Sequence, residues 1–226
     1  MRRIILQAVG IALAIAPAIG LAQTKPTSAT YITDEEVKAV NATPGVDRQI
    51  RVVDIGNENY AVGIVHRGAT GAARGAGGGA AAAGAGRAAG AGGGAGRGAA
   101  AQGEPCGESG AVPAGSTPGG IYHDQQTEGY LIVSGGGTLV TGGHIVNGRK
   151  TPPESQVTKE LNGPSCSGAI AGSDVVKKVV KVGDIVIIPA GVPHGWTDIT
   201  DHVDYLSFRP SARVLTAGYV NPAIKK

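Results

Sequence analysis

The sequence predicts an all-β protein of the jelly-roll type, a β-barrel with a short N-terminal helix. Short runs of β-branched and aromatic residues recur along the chain, and turns rich in glycine or proline separate them. Only one short stretch carries helix signals. Many short strands at this spacing are typical of a jelly roll. The strands are predicted at residues 49–55, 60–66, 121–146 (with glycine turns at 135–137 and 142–143), 175–182, 185–188 and 203–208.

The N-terminus has the pattern of a secretory signal peptide. Arg2 and Arg3 form a basic start, residues 4–19 are almost entirely apolar, and small residues precede Gln23. The apolar run is shorter than the ~20 residues that span a bilayer, so an uncleaved anchor is the weaker alternative. We therefore expect residues 1–22 to be removed, leaving no transmembrane anchor and a periplasmic or secreted chain.

The charge of the chain gives no argument for nucleic acid as a partner. The formal net charge is +3, and removal of Arg2 and Arg3 with the signal peptide would leave +1. A nucleic-acid-binding domain normally carries a basic patch or stripe and a much higher charge. We expect a small-molecule ligand or substrate instead, and we leave a homodimer open.

The remaining chain divides into an arm, a barrel and a tail. Residues 23–48 are predicted to be an arm ending in a short helix, because Thr33 and Glu36 form a capping box. Residues 49–213 are predicted to form the barrel, and residues 214–226 a C-terminal tail.

A glycine- and alanine-rich tract interrupts the predicted barrel. Residues 68–102 contain almost no large side chain, so they cannot offset the conformational entropy of ordering them. We expect a disordered insertion, with its boundaries set at residues 68–110. Insertions in loops are tolerated because the closure entropy grows only slowly with loop length.

The two cysteines are candidates for a disulfide bond. Cys106 follows the tract, and Cys166 lies in residues 151–172, which are rich in Pro, Ser and Gly and are predicted to be a long loop. Two cysteines in an exported chain can pair. The alternative is two free thiols too far apart to join.

The C-terminal half contains a predicted turn that is followed by a histidine. A Gly-Asp turn precedes an apolar run, Pro189 and Gly191 form a sharp corner, and His194 follows. Proline fixes φ and glycine allows a positive φ, so such a corner can direct an imidazole to a defined point.

The spacing from Gly183 to Asp198 resembles the second motif of the cupin superfamily, with Asp198 where that motif often has Asn. Residues 121–140 look like the first cupin motif, His-x-His followed by Glu, a strand, a glycine turn and another strand. The resemblance covers roughly residues 49–213 without the tract, and it implies the jelly-roll fold. One departure is that Ile121 stands where the family has its first histidine.

The resemblance implies metal ligation by His123, Glu128 and His194. A period of two places Glu128 and Tyr130 on one strand face, whereas the five-residue separation from His123 requires a bend at residues 124–127. A competing register makes His123 the first histidine with Gln125 as an oxygen donor. The pocket-lining candidates are Ile121, Gln125, Gln126, Tyr130 and Trp196, with either glutamine as a partner of the ligands.

Two histidines and one carboxylate suit a divalent first-row metal. Fe(II) or Mn(II) is favoured, and Zn(II) or Ni(II) also fits this donor set. The implied function is that of an oxygenase or an isomerase acting on a small organic substrate. The alternative is a non-catalytic cupin module that binds a small molecule, because the fold does not select a function.

Overall fold

The chain is mostly antiparallel β-sheet in the computed structural model, which describes residues 27–70 and 103–225. The predicted all-β class is confirmed. The predicted signal peptide and most of the predicted insertion lie outside these residues. Across the two described ranges, no helix has the length and apolar character needed to cross a bilayer.

The described residues contain eleven strands, one α-helix and one π-helix. In chain order they are α1 (Asp34–Asn41), β1 (Asp47–Asp54), β2 (Asn59–Gly68), β3 (Pro105–Cys106), β4 (Thr117–His123), β5 (Glu128–Thr141), β6 (His144–Lys150), the π-helix (Val157–Asn162), β7 (Ser165–Ala171), β8 (Val176–Lys181), β9 (Ile185–Ile188), β10 (His194–Thr197) and β11 (His202–Ser211). The pairing order is β1-β2-β11-β5-β10-β4-β7-β6-β3, and β8 and β9 both pair with β5. The path ends at β1 and β3, so the pairing found in these residues does not close into a ring.

Strand β5 joins two sections of the sheet, and the predicted glycine turn at residues 135–137 is wrong. Residues 128–135 pair with β11 and β9, whereas residues 136–141 pair with β10 and β8. Gly135 lies at φ +63°, and an added Cβ would stand 2.0 Å from the carbonyl oxygen of His202. Glycine is required here because of the positive φ and this close contact, and the strand continues without a turn.

The main core draws side chains from both sections of the sheet. Its buried members are Val65, Tyr130, Ile132, Leu139, Val180, Ile188, Trp196, Ile199, Val203 and Tyr205. Strand β5 supplies three of them, so it connects the two sections through packing as well as through hydrogen bonds.

Helix α1 begins at the predicted capping box. The hydroxyl of Thr33 accepts a hydrogen bond from the Glu36 amide, and the Glu36 carboxylate accepts one from the Thr33 amide, both at 3.3 Å. Val40 is fully buried against Ile50 of β1 and Ile64 of β2. The helix therefore covers one face of the β1–β2 hairpin, whose strands are predicted at residues 49–55 and 60–66.

The predicted long loop at residues 151–172 is wrong, since it contains the π-helix and strand β7. Strand β7 pairs with β4 and β6, and Cys166 within it forms a disulfide with Cys106 at a Cα–Cα distance of 6.1 Å. The bond ties β3 to β7, so residues 103–110 are ordered rather than part of a disordered insertion. A cross-link between residues 60 positions apart contributes about 4 kcal/mol in the chain-entropy model.

The segment after β11 is packed against β1 and does not form a free tail. Leu215 is buried, the Gly218 amide donates to the Val52 carbonyl at 2.9 Å, and the Asn221 amide donates to the Ile50 carbonyl at 2.9 Å. These bonds cover the outer edge of β1, which would otherwise expose unpaired main-chain groups.

Candidate metal centre

The three predicted ligands lie together in the interior. The Nε2 atoms of His123 and His194 are 3.5 and 3.2 Å from Oε2 of Glu128. The three side chains are only 2–3% exposed, and a ligand atom from each lies within 4.8 Å of the others. This group could hold a metal ion.

Two sharp bends bring the ligands together. His123 is the last residue of β4 and Glu128 the first of β5, and the chain bends between them, as predicted. His194 begins β10 after the predicted corner, in which Gly191 has φ +81°. The Gly191 amide donates to the carbonyl of His123 at 2.7 Å. The corner that positions the second histidine is therefore hydrogen-bonded directly to the first.

Tyr130 lies on the same strand face as Glu128, as the period of two predicts. Its hydroxyl donates to Oε2 of Glu128 at 2.5 Å. Burial, together with the neighbouring charge of Glu128, raises the pKa of Tyr130 well above its ordinary value. The phenol therefore stays protonated and acts as a hydrogen-bond donor to the oxygen that faces the histidines.

Both imidazoles are held by their Nδ1 atoms. Nδ1 of His194 lies 3.1 Å from the carbonyl oxygen of Val192, which can only accept a proton. Nδ1 of His123 lies 3.0 Å from the hydroxyl of Ser165, which itself donates to the Gly163 carbonyl at 2.8 Å. Both Nδ1 atoms are therefore placed to donate these hydrogen bonds, which leaves each Nε2, the atom that faces Glu128, available to a metal ion.

The separations fit a shared ion. Metal–ligand distances of about 2.1 Å place neighbouring ligand atoms about 3.0 Å apart in an octahedron and about 3.4 Å apart in a tetrahedron. The measured distances of 3.2 and 3.5 Å are close to these values. At these distances a protonated Nε2 can donate a hydrogen bond to Glu128, and a metal ion would take the place of that proton.

Arg209 is a member of the site that the sequence analysis missed. Its Nε donates to Oε1 of Glu128 at 2.7 Å, and its other nitrogens donate to Gln49 at 3.1 Å and to Asp47 at 2.5 Å. Burial alone would raise the pKa of Glu128, but the interaction with His123 and the charge of Arg209 hold this pKa well below its usual range. The carboxylate is therefore ionised, with one oxygen bound to Arg209 and the other directed at the histidines.

A signal for Arg209 exists in the sequence. Alternate residues of β11, namely Val203, Tyr205, Ser207, Arg209 and Ser211, are all buried. An arginine that continues the inward period of a predicted strand indicates a buried partner of opposite charge. The predicted strand stopped at residue 208, one position too early to include it.

Two apolar pocket candidates are buried near the ligands. Ile121 is paired with His194 across β4 and β10. Trp196 belongs to the main core and stacks on Tyr205, with ring centroids 5.5 Å apart. The indole therefore contributes to packing, while its Nε1 finds no hydrogen-bond partner among the described residues.

The two glutamine candidates do not contact the ligand group. Gln125 is exposed, which contradicts the register that made it an oxygen donor. Gln126 is buried, but its amide nitrogen donates to the Leu161 carbonyl of the π-helix at 3.2 Å. The partners of the ligands are instead Ser165, Tyr130 and Arg209.

The fold and the site define an all-β protein with a buried His/Glu/His group that could hold a metal ion. No protein-family model and no curated protein matches the chain.

Proposed function

We propose that the protein binds one divalent first-row metal through His123, Glu128 and His194. The convergence of three potential ligand atoms in a buried space carries this proposal. Imidazole and carboxylate donors favour Fe(II) or Mn(II), and they also accept Zn(II) or Ni(II).

We further propose that the sheet is a jelly roll of the cupin type. The two sequence motifs support this, and so does the core that both sections of the sheet share. Asp198 adopts φ +52°, a conformation that Asn and Asp tolerate better than other non-glycine residues. The replacement of Asn by Asp at the end of the second motif is therefore compatible with the backbone.

Three protein ligands leave coordination positions for a small molecule, and we propose oxygenase or isomerase chemistry on a small organic substrate. The metal would supply redox or Lewis-acid chemistry at that place. Arg209 fixes the orientation of Glu128, and Tyr130 supplies a second donor to the same carboxylate.

A binding role without catalysis is the second candidate, and one observation favours it. Tyr130 and Arg209, the titratable neighbours of the ligands, both use their protons to bind Glu128. Proton transfer to a substrate would break one of these bonds, whereas simple binding of a small molecule would leave both intact.

We propose that the protein acts outside the cytoplasm. The signal-peptide pattern of residues 1–22 supports export, and so does the disulfide between Cys106 and Cys166, since such bonds persist in oxidising compartments.

Elemental analysis of protein purified from a periplasm tests the metal proposal. We expect close to one metal ion per chain, and a redox-active metal at that level favours the enzyme over the binding module. Chelator-treated protein should take up Fe(II), Mn(II), Ni(II) or Zn(II) with the same stoichiometry. A folded protein that binds none of these ions in calorimetry would refute the proposal.

The substitution Ile121→His tests the cupin register. Ile121 occupies the place of the missing histidine and lies beside His194 in the sheet, so a third imidazole, acting as the fourth ligand, should tighten metal binding about tenfold or more. Calorimetry with Zn(II) measures the change, and Ile121→Gln is the control, because it introduces a polar side chain without an imidazole. Unchanged affinity in folded Ile121→His would contradict the register.

A further inference from the structure

Strand β9 exposes large apolar side chains to solvent. Ile185 and Ile187 are 72% and 73% exposed, and Val133 of the neighbouring strand β5 is 41% exposed. Ile185 pairs with Leu131, so these side chains lie on one outer face of the sheet. Isolated exposed apolar residues are common, but a cluster of this kind marks an interaction surface.

The main chain of β9 is also unpaired along its outer edge. Ile132 donates its amide to the Asp184 carbonyl and accepts from the Gly183 amide. Because hydrogen-bonded residues alternate in an antiparallel ladder, Val186 and Ile188 exchange bonds with β5. The amides and carbonyls of Ile185 and Ile187 therefore point away from β5, and no other described strand pairs with them.

Two other edge strands among the described residues, β1 and β8, are protected, and β9 is not. Residues 218–221 cover the outer edge of β1. Strand β8 carries Lys177, Lys178 and Lys181, and lysines on an edge oppose pairing with another strand. Strand β9 has the sequence Ile-Val-Ile-Ile, without a charge or a proline.

We propose that β9 is the contact surface for a second copy of this chain. A two-fold axis at Val186 would pair the two β9 strands antiparallel, with Ile185 of one copy opposite Ile187 of the other. This register is self-complementary, as a two-fold dimer requires. It joins four exposed isoleucines into one apolar strip and satisfies the outward amides and carbonyls.

The main-chain groups of β9 make a lipid surface an unfavourable partner for this strand. Inserting β9 into hydrocarbon would bury the outward N–H and C=O groups of Ile185 and Ile187 without partners, which is costly. A second strand buries the same side chains and supplies those partners.

The interface adjoins the metal centre and does not complete it. Ile188 of β9 pairs with Glu128, and the corner that follows β9 leads to His194. All three ligands come from one chain, so the interface is a property beyond the proposed metal binding and can fail or hold independently of it.

Light scattering coupled to size exclusion tests the proposal on three forms of the full chain. At a protein concentration of about 10 µM the wild type should have twice the mass of one chain. We expect a small but specific interface to hold at this concentration. Ile187→Lys places two like charges in the strip and should weaken association about 100-fold, giving monomer. Val179→Lys is the matched control, since Val179 is 74% exposed on β8, outside the proposed register, and should remain dimeric.

A wild-type monomer at 100 µM would overturn the proposal, as would an Ile187→Lys protein that stays dimeric. Dissociation of Val179→Lys to the same degree would place the interface elsewhere and overturn it too. Vesicles of phosphatidylglycerol provide a further arm, in which binding by monomeric wild type and its loss in Ile187→Lys would assign β9 to a membrane instead. Thermal unfolding of all three forms checks that the substitutions leave the fold intact.

Discussion

Loss of any one ligand is expected to weaken metal binding by more than about 100-fold in His123→Ala, Glu128→Gln and His194→Ala. Changes to residues that only support a ligand typically cost 10- to 100-fold in affinity, so a lost ligand should cost more. Each alanine variant leaves two ligands, and Glu128→Gln replaces the charged donor by a weaker neutral amide oxygen. Competition calorimetry with Zn(II) or Co(II) measures the affinities.

His144→Ala is the matched control for the histidine variants. His144 is about two-fifths exposed and contacts Glu108 at the surface, so its removal should leave metal affinity unchanged. Equal losses in His144→Ala and His194→Ala would show that binding occurs at surface histidines. Circular dichroism separates loss of metal from loss of fold.

The substitution Arg209→Met is expected to lower the free energy of unfolding by about 3 to 5 kcal/mol, because removing one partner of a buried ion pair leaves an uncompensated charge. Arg209 is 2% exposed and binds both Glu128 and Asp47. Methionine replaces its length but none of its donors. Urea unfolding of the metal-free protein, followed by circular dichroism, measures the difference.

Arg213→Met controls for the type of substitution. Arg213 is partly exposed and lies 3.4 Å from Asp54, so its loss should cost less than about 1 kcal/mol. The loss of unfolding free energy in Arg209→Lys should lie between the losses in the two methionine variants. Lysine retains a charge but cannot contact Glu128, Gln49 and Asp47 together. Equal unfolding free energies for Arg209→Met and wild type would show that Glu128 does not depend on Arg209.

Sequence reasoning succeeded where the structure depends on local rules. The α1 capping box spans only Thr33 to Glu36, and the bends before Glu128 and His194 follow from turn residues and from the period of a strand. The ligand group itself was predicted because each ligand belongs to a short motif of recognisable spacing.

Sequence reasoning failed where distant residues decide the structure. Strand β7 has the sequence Ser-Cys-Ser-Gly-Ala-Ile-Ala, which has little intrinsic preference for a strand. Its pairing with β4 and β6 and its disulfide hold it in the sheet. The support of His123 by Ser165 of this strand was therefore invisible in the sequence.

The same limit applies to the C-terminal segment. Residues 214–226 are predicted to form a tail, yet Leu215 is buried and the Gly218 and Asn221 amides bind β1. The segment is ordered because it hydrogen-bonds to the open edge of β1, and no local pattern within the segment predicts this pairing.

The position of Trp196 gives the protein an intrinsic fluorescence probe. It is the sole tryptophan of the chain, and it stacks on Tyr205, whose ring lies 4.2 Å from that of Tyr130. Tyr130 in turn donates a hydrogen bond to Glu128. Consecutive contacts therefore connect the indole of Trp196 to the ligand group. Its emission can therefore follow the loading of a paramagnetic ion such as Co(II), which quenches an indole, and distinguish it from Zn(II), which has no unpaired electrons, without any added label.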